Sequence, residues 1–229
     1  MRRSRAKGSY KFILLACCSL AIFQSCSKSS APLNSANVSF VNGCLSASSI
    51  GVKANNTSIS GATDISFLGN SGYRYVTAGT DVYLTFYTGT GPFTSRTENI
   101  APSDNYSAFI GGTVSNPFYL FTLDDLTPPE RGMAKVRFVN LSPDNINESV
   151  AANDTLVAQG IATNTISSFY QVAQGSYFMS AFDPGSSKTT ISGDSLAFVA
   201  GKIYTVMLTG TLADSGTTSG LMLTVVHNN

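Results

Sequence analysis

The 229-residue sequence has no tryptophan, one histidine and few charged residues, since Asp, Glu, Lys and Arg make up only 12% of it. The single histidine, His227, lies near the end of the chain, which argues against a histidine-dependent triad or a multi-histidine metal site. The 14 basic and 13 acidic residues nearly balance, so the chain lacks the basic excess typical of nucleic-acid-binding proteins. The 14 Phe and 10 Tyr residues exclude a disordered chain, because this many aromatic side chains can fill a core.

Long hydrophobic runs are also missing, apart from one short run near the N-terminus. Residues 1–11 carry basic side chains and no acid, and residues 12–23 (FILLACCSLAIF) are almost entirely apolar. A helix of this length extends about 18 Å, whereas the core of a bilayer is about 30 Å thick. The pattern is typical of a secretory signal, and we expect residues 1–25 to be cleaved off.

The residues that follow this run suggest a lipid anchor. A small residue, Ser25, precedes Cys26, and this arrangement resembles a bacterial lipobox, which implies cleavage before Cys26 and diacylglyceryl transfer to its thiol. Cys17 follows a better letter-by-letter match, but cleavage there would leave almost no apolar segment before the motif. Ordinary signal-peptidase cleavage near Cys26 is the remaining alternative. Residues 26–35 read as a flexible Ser-rich tether.

Cysteine is scarce in the predicted mature chain. Cys17 and Cys18 leave with the signal and Cys26 takes the lipid, so Cys44 remains alone and no intramolecular disulfide can form. No basic residue or histidine lies near Cys44 in sequence to lower the pKa of its thiol. We therefore interpret Cys44 as a packed residue rather than a nucleophile.

An internal repeat indicates two domains. Residues 36–42 (ANVSFVN) return as residues 134–140 (AKVRFVN), and two further segments recur at nearly the same offset. We predict a first domain over residues 36–129 and a second over residues 130–229, joined at a stiff Pro128-Pro129 linker. We expect few contacts to cross this linker.

Both copies consist of short apolar-alternating runs separated by Gly, Pro, Asn and Ser, which predicts an all-β fold with little helix. In the opening strand of the second copy, Val136 and Phe138 are expected to face inward, and Lys135 and Arg137 lie on the other face. Tyr204 and its counterpart Tyr106 follow turns as in the tyrosine corner of Ig-like sandwiches. The predicted fold is two tandem Ig-like or transthyretin-like β-sandwiches after a cleaved signal peptide.

The segments 123–129 (LDDLTPP) and 134–144 (AKVRFVNLSPD), with the 200–205 (AGKIYT) element, resemble the bacterial family known as domain of unknown function 4397. The resemblance is closer over residues 134–210, and the first copy is identified as a diverged member. It implies tandem copies behind a lipoprotein signal in a Gram-negative bacterium, as Cys26 also suggests. No catalytic residues are established for the family, so the resemblance implies none here.

Two candidate binding sites stand out. In residues 81–87 (DVYLTFY), alternation places Val82, Leu84 and Phe86 inward and leaves Tyr83 and Tyr87 about 13 Å apart on the outer face. These two rings could stack on a glycan, or they could pair with neighbours across the sheet. The second candidate is a loop with clustered oxygen ligands that could suit calcium or could make ordinary Asx-turns; its residues are Asp144, Asn145, Asn147 and Glu148.

Modification sites are also predicted. Thr155 and Ser195 each follow an aspartate and precede a leucine, which resembles the acceptor for protein O-glycosylation in one branch of Gram-negative bacteria. Such tripeptides also occur by chance in turns.

The sequence predicts a non-enzymatic protein, held by its lipid in the outer membrane, with a structural or adhesive binding role and no cofactor or metal. The partner would be an envelope protein or a glycan, and no nucleic acid. A fimbrial-type subunit that polymerises by strand donation and a glycan-binding module are the alternatives. Exposure on the cell surface or in the periplasm is left open.

Overall fold

The structure is a computed structural model that describes residues 32–185, 189–212 and 220–228. Within these residues every regular element is a β-strand, and none forms a helix that could cross a membrane. The predicted all-β sandwich class is therefore confirmed. The predicted signal and Cys26 lie outside the described residues.

Strands β1 to β9 form the first sandwich. One sheet has the order β5-β1-β8-β9 and the other β3-β2-β6-β7, with the short β4 also paired to β2. Strand β1 runs parallel to β8, whereas the other pairs are antiparallel. The strands are β1 Ser35–Asn42, β2 Ser49–Ala54, β3 Thr57–Ser58, β4 Ile65–Ser66, β5 Asn70–Thr77, β6 Gly79–Thr88, β7 Gly91–Ile100, β8 Asn105–Gly112 and β9 Pro117–Leu123.

Strands β10 to β18 repeat the same topology in a second sandwich. Its sheets have the orders β13-β10-β17-β18, with β14 also paired to β10, and β12-β11-β15-β16. Strand β10 is parallel to β17, as β1 is to β8. The strands are β10 Met133–Asn140, β11 Asn147–Ala152, β12 Thr155–Ala162, β13 Thr165–Ile166, β14 Tyr170–Ala173, β15 Gly175–Phe182, β16 Thr189–Phe198, β17 Ile203–Thr209 and β18 Met222–His227.

Each sandwich encloses its own apolar core between its two sheets. In β6 the side chains of Val82, Leu84 and Phe86 are buried as predicted, because successive residues of a strand point to opposite faces. Phe86 meets Phe40 of the facing sheet edge-on, with ring centroids 6.2 Å apart. In the second sandwich the side chains of Val136 and Phe138 are buried in the core, as predicted.

A buried asparagine ends the first strand of each copy, at Asn42 and Asn140. In both copies the amide donates to two backbone carbonyls and accepts one backbone N–H, so all its partners are main-chain groups. The partners are Ala47, Ile65 and Cys44 for Asn42, and Ile146, Ile161 and Ser142 for Asn140. Because buried backbone groups must be paired, these side chains fix the loop that follows the strand.

The tyrosine corner is present in both copies. The Tyr106 hydroxyl accepts the N–H of Ala101 at 3.1 Å, and the Tyr204 hydroxyl accepts the N–H of Val199 at 3.0 Å. Each bond ties the start of a central strand to the turn before it.

The two sandwiches share a third apolar cluster, which we call the interface cluster: Val41, Phe109, Val139, Leu141, Met207 and Val226. These residues lie on the faces of β1, β8, β10, β17 and β18 that point away from the two cores, and on the loop after β10. The expectation that few contacts cross the linker is therefore wrong, and Ala31–Asn229 form one compact unit. The two sheets that meet at this cluster, β5-β1-β8-β9 and β13-β10-β17-β18, are called the central sheets. Their middle strands, β1, β8, β10 and β17, are buried on both faces.

A buried ion pair lies beside the interface cluster. Arg137 of β10 contacts Asp124, which follows β9, with Nη1 and Oδ1 2.7 Å apart, and the two side chains are 2% and 0% exposed. The face of β10 that carries Lys135 and Arg137 is therefore covered by the first sandwich and the linker, since both residues are buried.

Hydroxyl groups and aromatic rings complete this network. Ser107 and Tyr73 donate to Asp124 Oδ2 at 2.6 Å and 2.5 Å, while Arg137 donates to Ser107 and to Thr205 at 2.9 Å. The guanidinium also lies 4.7 Å from the ring centroid of Phe169 and 5.5 Å from that of Phe109. Burial and the Asp124 carboxylate raise the pKa of Tyr73, so its hydroxyl stays protonated and donates.

Contacts between the sandwiches are reciprocal at one end of the interface. Leu141 lies against Gly43, where an added Cβ would overlap the leucine, and position 43 is the equivalent of position 141 in the repeat. Thr209 donates to the Gly43 carbonyl at 3.1 Å, and Gly111, the equivalent of Thr209, packs on Leu141. The two copies are therefore related locally by an approximate two-fold axis.

We predict that Arg137→Met lowers the free energy of unfolding by about 3–5 kcal/mol, because it leaves the Asp124 carboxylate buried without its partner. Urea denaturation measures this change, and the wild type is expected to unfold in one transition. Arg131→Met, at an exposed arginine of the linker, is the matched control and should stay within about 0.5 kcal/mol of wild type. Adding Asp124→Asn to Arg137→Met should recover part of the loss. Two separate transitions in the wild type, or an unchanged Arg137→Met variant, would contradict the prediction.

Candidate binding face on the outer sheet

Tyr83 lies on the outer face of the β3-β2-β6-β7 sheet, as the alternation in β6 predicts. Its ring is 43% exposed, and its hydroxyl donates to Ser95 Oγ on β7 at 2.6 Å. A tyrosine whose hydroxyl reaches the neighbouring strand must lie across the sheet, so one face of the ring is turned to solvent. The Asn55 side chain accepts the Tyr83 N–H at 2.9 Å and fixes the backbone beside the ring.

Tyr87 lies on the same face but is half-buried. Its ring rests on Gly51 of β2, which is directly opposite, and a Cβ at position 51 would overlap the ring. The Lys53 ammonium lies over the Tyr87 ring, 5.3 Å from its centroid, which is within the range of a cation–π contact. Of the two predicted stacking residues, therefore, only Tyr83 presents an open ring face, and Tyr87 instead supports a cation.

A polar row crosses the sheet between the two tyrosines. Thr85 pairs with Lys53 on one side and Ser95 on the other. The Thr85 Oγ1 atom is buried and has no hydrogen-bond partner among the described residues. A cavity of about 400 Å³ adjoins Tyr83 and Thr85 along β7; its other lining residues are Asn56, Pro92, Phe93, Thr94 and Ser95.

The second sandwich carries a related face, in which the position equivalent to Lys53 is not a cation. Phe178 occupies the position of Tyr83, is 47% exposed, and has its N–H bonded to Asn153 at 2.9 Å. Ser180 and Phe182 follow at the positions of Thr85 and Tyr87. Ala151 stands where the first copy has Lys53, so among the described residues this pairing of an exposed ring with a cation occurs in the first sandwich.

The structure places both predicted glycosylation residues at accessible positions. Thr155 opens β12 directly after the turn at Asn153 and Asp154, whose φ angles are 48° and 61°, and it is exposed. Ser195 lies in β16, is exposed, and pairs with Phe178.

Cys44 is a buried free thiol. Burial raises its pKa above the usual value, and its N–H donates to Asn42 Oδ1 at 3.1 Å. The interpretation of Cys44 as a packed residue agrees with this position, since a raised pKa keeps the thiol from forming a thiolate.

The two acidic residues of the candidate calcium loop lie in different surroundings. An Asp144 carboxylate oxygen accepts the N–H of Leu212 at 2.7 Å, and Glu148 is buried in β11. Among the described residues no group of three or more His, Cys, Asp or Glu could hold a metal ion.

Sequence reasoning missed the residues that the fold brings together. Lys53 and Ser95 flank Thr85 only because β2 and β7 pair with β6 in one register, and no sequence signal fixes that register. The sequence shows Arg137 as a cation on an alternating strand and Asp124 as a carboxylate before the two prolines, but it does not show that the two side chains pair.

Comparisons with known proteins place part of this architecture in a family. The model of a domain of unknown function, DUF4397, matches residues 36–147, which cover the first sandwich and β10. The match thus falls mainly on the first copy, which the sequence predicts to be the diverged member, and it reaches only the start of residues 134–210.

Among solved structures, a similar one is the crystal structure of a "putative cell adhesion protein" from Bacteroides uniformis ATCC 8492. The two chains are 10% identical, with a TM-score of 0.22, and the alignment covers 86% of this chain and 98% of the other. A search of curated proteins finds no match. The DUF4397 match over residues 36–147 therefore supports, for this part of the chain, the family resemblance that the proline linker and the repeated opening strand indicate.

Proposed function

We propose that this protein is a non-enzymatic, lipid-anchored protein of the cell envelope with a structural or adhesive binding role. The observation that carries the proposal is the interface between the sandwiches, where Arg137 and Asp124 are paired out of contact with water. Two sandwiches locked in this way form a rigid body that can present a surface at a fixed orientation. A role of this kind needs a fixed surface and does not need a loop that closes over a substrate.

The titratable groups of the described chain support a role without catalysis. The buried carboxylate of Asp124 is committed to Arg137, Ser107 and Tyr73 inside the interface. Cys44 is buried, and its thiol has a raised pKa. His227 packs against the ring of Tyr204, with centroids 4.9 Å apart.

The alternative of a polymerising fimbrial subunit requires a strand near the start of the mature chain that can be released. In the structure that strand is β1, which pairs with β5 on one edge and β8 on the other. Its residues Ala36, Val38 and Phe40 are buried in the first core. Releasing β1 would therefore expose the core, and this favours a sandwich that completes itself.

We expect Cys26 to carry the anchor, because bacterial lipoprotein processing adds two acyl chains to the thiol and stable membrane attachment takes at least two chains. Cys26→Ser should move the protein from the detergent phase to the aqueous phase in a Triton phase partition. Cys17→Ser and Cys18→Ser are the matched controls and should leave the partition unchanged. If Cys17→Ser alone released the protein, cleavage would occur at the earlier box.

Attachment of the cells tests the adhesive role directly. Cells that lack the protein should adhere less to a host-derived or biofilm matrix than cells complemented with the wild-type gene. Complementation with Cys26→Ser should not restore adhesion, since the soluble form cannot link the cell to the matrix. Protease treatment of whole cells should also remove adhesion if the protein lies on the cell surface. Equal adhesion of all strains would contradict the adhesive role.

We also propose that Thr155 and Ser195 are O-glycosylated. Their exposure fits an acceptor role, since a transferase must reach the hydroxyl. Mass spectrometry of the protein from its native host is expected to find hexose-containing peptides that Thr155→Ala and Ser195→Ala each remove. Unmodified peptides at both positions would refute the proposal.

A further inference from the structure

We propose that the outer face of the first sandwich binds a carboxylated glycan, with a sugar ring stacked on Tyr83 and its carboxylate paired with Lys53. The inference rests on the proposed binding role and names its ligand class. We call the residues Gly51, Lys53, Tyr83, Thr85, Tyr87 and Ser95 the acidic-sugar face.

The stacking element is Tyr83. Its hydroxyl bond to Ser95 holds the ring across the sheet, so the open ring face is fixed before a ligand arrives. Sugar rings present flat C–H surfaces that pack on aromatic faces, and a preset ring loses little conformational entropy on binding. Apart from this hydroxyl bond, the Tyr83 ring has no aromatic or cation partner among the described residues, and it lies outside the first core.

The charge of the ligand follows from Lys53. Among the residues that pair with the outward-facing Tyr83, Thr85 and Tyr87, Lys53 is the single charged residue, and it has no ion-pair partner in the part of the chain that the structure describes. Arg96 pairs instead with Leu84, whose side chain faces the core. Asp81 lies beyond these pairs, and its carboxylate accepts the Thr80 hydroxyl. A face with one unpaired cation and no acid complements an anion.

Gly51 and Tyr87 position this cation. The glycine lets the Tyr87 ring lie flat on β2, and the ring then holds the Lys53 ammonium over its face. Tyr87 is therefore a positioning residue, and its ring face is already occupied by the ammonium. Tyr83 and Tyr87 are therefore not two equivalent stacking rings, because Tyr83 stacks on the sugar and Tyr87 holds the cation.

The hydroxyl-bearing residue Thr85 lies between the Tyr83 ring and Lys53. Thr85 is next to both in the register, and its buried hydroxyl is unpaired in the described structure. A buried polar group without a partner is costly, so a ligand hydroxyl that reached it after a shift of the covering side chains would gain a bond. Sugars supply several such hydroxyls around each ring.

Calorimetric titration of the full-length protein in detergent tests the proposal with two carboxylated probes, an oligogalacturonate and a sialyl-oligosaccharide. The controls are the methyl-esterified oligogalacturonate and the same oligosaccharide without sialate, which keep the sugars and remove the charge. We expect at least one carboxylated probe to bind, at least tenfold more tightly than its neutral control and more weakly as salt rises. The two arms identify whether the carboxylate comes from a uronate or a sialate.

Substitutions then assign the residues. Tyr83→Ala and Lys53→Gln should each weaken binding at least tenfold, whereas Tyr75→Ala and Lys202→Gln, at an exposed tyrosine and lysine elsewhere, should not. Tyr87→Phe should retain the preference for the charged probe, and Tyr87→Leu should reduce the ratio between charged and neutral probes. Thermal unfolding confirms that each variant is folded.

The outcomes separate this inference from the proposed function. Lack of binding by both probes, or binding that Tyr83→Ala and Lys53→Gln leave unchanged, would overturn the acidic-sugar face. Binding to anionic vesicles alone, with neither sugar bound, would overturn it in favour of a membrane surface. None of these results would alter the partition of Cys26→Ser, which tests the anchor.

Discussion

The pairing of Arg137 with Asp124 is the constraint on which the arrangement of the two sandwiches depends. Transfer of two charges out of water costs several kcal/mol per ion, and only a close partner with further hydrogen bonds offsets that cost. Both conditions hold here, because Ser107 and Tyr73 bond the carboxylate while Thr205 bonds the guanidinium. The groups come from both sandwiches and the linker, so any other relative orientation would leave a buried charge unpaired. Apolar packing alone tolerates sliding, whereas this network does not.

A consequence concerns which surfaces remain available for binding. The central sheets contact the cores with one face and the interface cluster with the other, and their middle strands β1, β8, β10 and β17 are buried along almost their whole length. The outer sheets therefore provide the large open β-faces of the described chain. It is on one of these that an exposed ring, an unpaired cation and a row of hydroxyl groups occur together.

Much of the fold could be predicted from the sequence, because local patterns determine it. Alternation in β6 assigned Val82 and Leu84 to the core and Tyr83 to the outer face, and the turn before Tyr204 indicated the tyrosine corner. The interface could not be predicted in this way. A face that carries Lys135 and Arg137 reads as solvent-facing, and only the position of Asp124 in space shows that it is covered. The candidate site could be predicted only in part. Alternation places Tyr83 and Tyr87 on the outer face, but it does not predict the strand register that places Lys53 beside them.

The differences between the copies explain why their order along the chain matters. At the interface the first copy has Ser39 where the second has Arg137, and the residue after the last strand is Asp124 in one and Asn228 in the other. A pair of identical copies about a two-fold axis would make each contact twice, and each copy would supply both charges. Here the buried positive charge belongs to one copy and the buried negative charge follows the last strand of the other, so the Arg137–Asp124 pair forms once and the sandwiches cannot exchange roles. The same divergence leaves Lys53 on the outer face of the first copy and Ala151 at the equivalent position of the second, so the proposed binding face belongs to the first copy.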